Sequence, residues 1–186
     1  METYEITSQL NNEIKESMLF RNESQNENAM RALECGKTIE SILNSEKYIA
    51  RSDYNFILGY SADIDFISVL MKSGMLDDYC KRNGLKSDTF VHITEMYQNI
   101  QELVDKHNDD YIDKYLIKEK VYLDNVLKEI DPNIVLDDDQ RRVVLTDEDY
   151  CLVIAGAGAG KTTTVAAKVK YLVDKKGIDP SQILVV

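Results

Sequence analysis

The run Tyr150-Cys151-Leu152-Val153-Ile154-Ala155, followed by Gly156-Ala157-Gly158-Ala159-Gly160-Lys161-Thr162-Thr163-Thr164, decides the reading of this chain. A short apolar run, bounded by the acidic Asp147-Glu148-Asp149 and a glycine-rich turn, suits a buried strand better than a helix. Beyond the turn, Val165, Val169, Leu172 and Val173 recur at i, i+4, i+7 and i+8, the stripe of an amphipathic helix. Lys175 and Lys176 fall in its last turn, where cations suit the helix dipole, and Gly177 reads as the residue just past its end. Asp179-Pro180-Ser181 makes a turn, and Ile183-Leu184-Val185-Val186 reads as a second buried strand. Strand, loop, helix and strand make a βαβ unit.

The turn fits G-x-x-x-x-G-K-[ST], with Ala155 in place of the first glycine. A backbone that wraps a phosphate must point its N–H groups inward, and side chains would obstruct that approach. Gly156, Gly158 and Gly160 leave the space, and the helix that follows offers unpaired N–H groups and a partial positive charge. Lys161 can reach β- and γ-phosphates as a point charge. The Thr162 hydroxyl can coordinate Mg²⁺, a hard ion that prefers oxygen. The candidate cradle is therefore Ala157, Gly158, Ala159, Gly160, Lys161, Thr162 and Thr163, with Lys161 and Thr162 nearest the chemistry. A second glycine-lysine-threonine, Gly36-Lys37-Thr38, has no strand or glycines before it and reads as chance on a helix.

Upstream, Leu136 precedes a short helix, Asp138 to Leu145. Gln140 has two readings. Asp137-x-x-Gln140 is a capping box, with Gln140 turning back to the N-cap N–H. Alternatively its amide, which donates and accepts at once, reads the edge of an adenine. On spacing alone the capping role is favoured.

The rest of the chain differs in character. Ile6, Leu10, Ile14 and Met18 recur every four residues, and the polar Arg21–Ala29 stretch then separates them from Met30, Leu33, Ile39, Ile42 and Leu43. This predicts two helices joined across a solvated segment. Ser87 is a candidate N-cap for a helix lined by Phe90, Ile93, Tyr97, Ile100, Leu103 and Val104. A further helix runs to the stop at Asp131-Pro132. Residues 1–131 thus predict an acidic domain of four to six helices, and residues 132–186 a second, α/β domain. Of 33 acidic and 22 basic residues, 136–186 hold only 8 and 7, so nearly all of the net −11 charge lies in the helices. That charge argues against broad adhesion to nucleic acid without excluding a local basic groove.

Cys35, Cys80 and Cys151 are odd in number, far apart and without a C-x-x-C, which disfavours a disulfide framework or a zinc site. His92 and His107 stand alone in sequence. No apolar stretch reaches the roughly 20 residues of a membrane span. The acidic N-terminus lacks the features of a secretory signal, so the expectation is a cytoplasmic protein with no membrane partner.

The combination Leu136-Asp137-Asp138-Asp139-Gln140-Arg141-Arg142-Val143-Val144, then Leu152 to Thr164, then Ile183 to Val186, resembles the start of a UvrD-like superfamily 1 DNA helicase. In that family an L-x-x-x-Q motif precedes an A-G-x-G-[ST]-G-K-T loop, so Ala155 supports the match, while Ala159 departs from the commoner Ser or Thr. The acidic helical segment before it looks most like the helicase IV branch. The resemblance covers about 50 residues. It implies an α/β chain: an all-α N-terminal domain followed by the first βαβ unit of a RecA-like P-loop domain. It also implies ATP and Mg²⁺ as cofactors, with Gln140 on the adenine, Gly158, Gly160 and Lys161 on the phosphates and Thr162 on the metal. Single-stranded DNA would be engaged by parts of the motor beyond these residues. The acidic helices could serve as a module for a protein partner, as the RNA polymerase-binding helices of some similar proteins do; another kind of P-loop ATPase is a third reading. No D-E-x-x segment follows the loop and no second motor domain is present, so the expectation is an N-terminal fragment without ATPase activity of its own.

Overall fold

The computed structural model describes residues 25–185. The first predicted helix, Ile6 to Met18, lies outside the described residues, as does Val186. Nine α-helices and one short 3₁₀ turn are assigned among the described residues. They are α1 (25–43), α2 (Arg51–Leu58), α3 (Ser61–Lys72), α4 (Leu76–Asn83), α5 (Ser87–Gln98), α6 (Ile100–Lys118), α7 (Lys120–Asn125), α8 (Asp138–Leu145) and α9 (Lys161–Asp174), followed by the 3₁₀ turn Pro180–Gln182. None of the helices is long and apolar enough to cross a membrane.

The described residues fall into two compact units. One gathers 25–44 with Asp53–Leu103; the other gathers Ser45–Ser52 with residues 104–185. In the first unit α1, α3, α4 and α5 bury one apolar face each, with Ile39, Ile67, Cys80 and Phe90 all but inaccessible. The polar stretch expected to separate two helices is helical from residue 25, and Ala29 is fully buried. Gly36 explains itself here. A Cβ at that position would lie 2.6 Å from the Ile93 side chain, so the glycine lets α1 and α5 approach. That packing role accounts for the glycine of the Gly36-Lys37-Thr38 sequence. Asp63, buried on α3, pairs with Arg31 on α1 at 2.9 Å.

Among the described residues seven helical pieces precede residue 126, where four to six were expected over residues 1–131. The stripe from Phe90 to Val104 was read as one helix, but the chain breaks at Asn99, whose side-chain amide donates back to the Glu95 carbonyl and terminates α5. α6 and α7 divide at Glu119, without a side-chain cap. Ser87 is the first residue of α5 and Lys86 its N-cap, a shift of one position.

The second unit carries its own core: Tyr111 and Ile112 of α6, Leu123 of α7, Leu136, Val144 and Leu145 around α8, and Ala167 and Tyr171 of α9. Residues 45–52 are fastened into it. Asn108 brackets Ile49 through both its N–H and its C=O, at 2.8 and 2.9 Å. Glu148 and Asp149 accept from the N–H groups of Arg51 and Ser52, each at 2.7 Å. Helix N-termini leave such groups without intrahelical acceptors, and carboxylates are the preferred partners.

The expected βαβ unit is not formed among the described residues, which contain no strand. The helix of that unit is present, but residues 150–155 and 183–185 are irregular. A parallel strand exists only through the N–H and C=O groups of its neighbours, and neither run acquires such a neighbour here. Leu152, Ile154 and Leu184 are 85, 88 and 87 % exposed. The apolar pattern recorded what these residues are suited to bury, and the ladder that would bury them is not made. The described chain is therefore all-helical rather than α/β.

Candidate phosphate-binding loop and its flanking helices

α8 and α9, both in the second unit, carry the sequence-predicted site residues. α8 begins as the pattern Asp137-x-x-Gln140 dictates. Asp137 has an extended backbone, its Oδ1 accepts from the Gln140 N–H at 2.8 Å, and Gln140 Oε1 accepts from the Asp137 N–H at 3.0 Å. The capping box is complete. It leaves the far side of the Gln140 amide available, and Nε2 donates to the carbonyl of Ala159 at 3.3 Å. An amide has two N–H groups and two lone pairs, so one of each remains after these contacts. Capping and base reading, posed as alternatives on spacing, are compatible by valence.

The loop itself turns over 157–159, with the Ala159 N–H donating to Gly156 at 3.3 Å. Gly158 and Gly160 have φ of +78° and +74°, the left-handed region that disfavours any side chain. Gly160 is doubly constrained, because a Cβ there would stand 2.5 Å from Gln140 Nε2. Gly160 is also the N-cap of α9, so no side chain caps that helix. The Thr164 N–H closes the first turn onto the Gly160 carbonyl, and the preceding N–H groups of the helix have no intrahelical acceptor. This is the arrangement that favours an anion.

Lys161 folds over the loop. Its ammonium donates to the carbonyls of Ala155 and Gly156, at 2.9 and 2.8 Å. An ammonium has three N–H groups, which leaves one for an anion at the loop mouth. Thr162 is exposed on the first turn and Thr163 is partly buried beside Gly160. A cleft of about 440 Å³ lies against these groups, bounded by Gln140, Val143, Ala155, Ala159 and Lys161 among others, and falls within the size range of small-molecule sites.

Residues 136–186 match the UvrD/REP helicase N-terminal domain family. This stretch is similar to UvrD-like helicases. It is 46 % identical over 52 residues to a Mycoplasma capricolum protein described as a DNA helicase II homolog, covering 28 % of this chain and 7 % of that protein. It is 43 % identical over 49 residues to a DNA helicase of Mycoplasma pneumoniae, covering 26 % and 9 %. Over 51 residues it is 39 % identical to the ATP-dependent DNA helicase UvrD1 of Mycobacterium leprae, covering 27 % and 7 %. The chain thus spans less than a tenth of the length of these relatives. No solved structure matches it.

Within this stretch the fold sets Gln140 against Ala159 and Gly160 and folds Lys161 onto Ala155 and Gly156, with Ala157, Gly158, Thr162 and Thr163 on or next to the same turn. Two residues whose spacing gave no site role hold this arrangement. Arg141, mostly buried, donates from Nε to the Leu136 carbonyl at 2.9 Å and pairs with Asp124 at 2.7 Å, tying α8 to the end of α7. Lys168 reaches from α9 to the last carbonyls of α8. Its interruption of the Val165–Val169 stripe was the available signal: a lysine on a packed helix face needs an acceptor. α9 ends at Asp174, one residue earlier than the lysine pair suggested, and Gly177 takes the left-handed turn at φ +68°.

Proposed function

We propose that residues 136–164 form the adenine- and phosphate-binding part of an ATP-dependent DNA helicase. The contact of the Gln140 amide with the loop at Ala159, beside a glycine that alone can sit there, is the observation that supports this most directly. It joins a group able to recognise a base edge to a loop built for phosphates. Gln140 would face the adenine with its remaining N–H and lone pair. The backbone from Ala157 to Thr163 would surround the phosphates. Lys161 would neutralise them, exchanging its hold on the Ala155 and Gly156 carbonyls for a charge-assisted contact.

Among the described residues no group of three or more His, Cys, Asp or Glu side chains could hold a metal ion. Mg²⁺ commonly takes one or two protein ligands beside phosphates and water, so a single Thr162 hydroxyl fits that usage. The metal would then neutralise the β- and γ-oxygens. We assign residues 132–186 to the motor, in which movement on single-stranded DNA would need further elements, and residues 1–131 to an acidic helical part of the chain, of which 45–52 and 104–131 share a compact unit with α8 and α9.

In a protein that carries this stretch within a complete motor, ATP hydrolysis should be stimulated by single-stranded DNA and abolished by Lys161→Ala. Undiminished turnover in that variant would defeat the assignment.

A further inference from the structure

We infer that Lys168 is a positioning residue for adenine recognition, holding α8 at the spacing from the phosphate loop that Gln140 requires. The inference rests on the adenine role proposed for Gln140. Lys168 lies seven residues, two helical turns, beyond Lys161 on α9. Its ammonium donates to the carbonyl of Val144 at 2.9 Å and to that of Thr146. These are carbonyls at the C-terminal end of α8, where the last four have no intrahelical donor and the dipole favours a cation. The ring of Tyr171 lies 6.0 Å from the same ammonium.

α8 is eight residues long and touches the α9 side at both ends. Its N-terminal end meets the loop through Gln140 Nε2 and Ala159. Its C-terminal end is held by Lys168. Arg141, through Asp124 and the Leu136 carbonyl, and the buried Val144 and Leu145 tie α8 to the rest of its unit, and Lys168 sets the tilt of its C-terminal end toward α9. Without Lys168 that end tilts about the Gln140–Ala159 contact, and the Gln140 amide turns with it. The phosphate cradle is local to residues 156–163 and does not depend on that hinge. Burial also pulls the Lys168 ammonium below its ordinary range, consistent with a charge desolvated to make this contact.

A purely structural Lys168 would, on removal, weaken every ligand alike. A positioning Lys168 would remove discrimination between bases and spare phosphate binding. The test is calorimetric titration of the full chain with ATP, GTP and inorganic tripolyphosphate, for wild type, Lys168→Met and Lys168→Arg. The wild type should prefer ATP over GTP. Lys168→Met should lose that preference by about fivefold, the equivalent of one hydrogen bond, with tripolyphosphate affinity changed less than twofold. Lys168→Arg, which keeps a charged donor, should restore the preference. Lys168→Gln, with a neutral donor, carries the same comparison should the Met variant fail to fold, and is expected to lose part of the preference. Unchanged ATP preference in the Met or Gln variant, or equal loss for ATP and tripolyphosphate, overturns the inference and leaves the Gln140 reading standing. A wild type that binds ATP and GTP equally overturns both.

Discussion

At Gly160 two independent demands meet: a φ of +74° and a missing Cβ that Gln140 Nε2 would strike at 2.5 Å. Gly160→Ala is expected to cost about 1–2 kcal/mol from the left-handed backbone alone. It should also push the Gln140 amide off the Ala159 carbonyl. Thermal unfolding checks the first expectation, and an ATP titration with a several-fold loss of affinity checks the second. Asp124 offers a pH test of the same corner. The hydrogen bond from Arg141 holds its carboxyl below the ordinary range, with burial opposing and the Arg141 charge assisting. A depressed acid stabilises the fold fully above its unfolded pKa, about 3.9, and ceases to as pH falls through the folded value. The stability gap between wild type and Asp124→Asn should therefore be constant above about pH 5 and shrink below about pH 4. A gap that widens toward acid would contradict the pairing.

At the scale of elements, the helices that cap themselves were legible and the strands were not formed. Asp137 and Gln140 specify the start of α8 with atoms three residues apart, so the local sequence contains the whole instruction. Asp179, Pro180 and Ser181 do the same for the 3₁₀ turn, where Asp179 accepts from the Ser181 N–H at 2.8 Å. Residues 150–155 and 183–185 depend on partners that periodicity cannot supply. Amide exchange separates these cases. The interior amides of α8 and α9 should be protected, whereas those of 151–155 should exchange near the rate of an unstructured peptide. Strong protection at Leu152 to Ile154 would mean that a ladder forms in solution. Lys168 was illegible for a different reason: its acceptors lie 22 and 24 residues away, and only packing brings them to it.

For the whole molecule, composition described electrostatics better than architecture. The net −11 charge, concentrated before residue 136, disfavours non-specific contact with phosphates. Residues 1–186 should show little affinity for single-stranded DNA at physiological salt, measured by anisotropy of a labelled oligonucleotide. Tight, salt-sensitive binding would reveal a basic groove that composition concealed. The central claim is that a phosphate site is built within residues 137–164, and nucleotide titration of this chain beside Lys161→Ala tests it most directly. ATP should bind the wild type, and the variant should lose about ten- to a hundredfold in affinity, the worth of a charge-assisted contact. Equal affinity in the two proteins, or no ATP binding by the wild type, would contradict it.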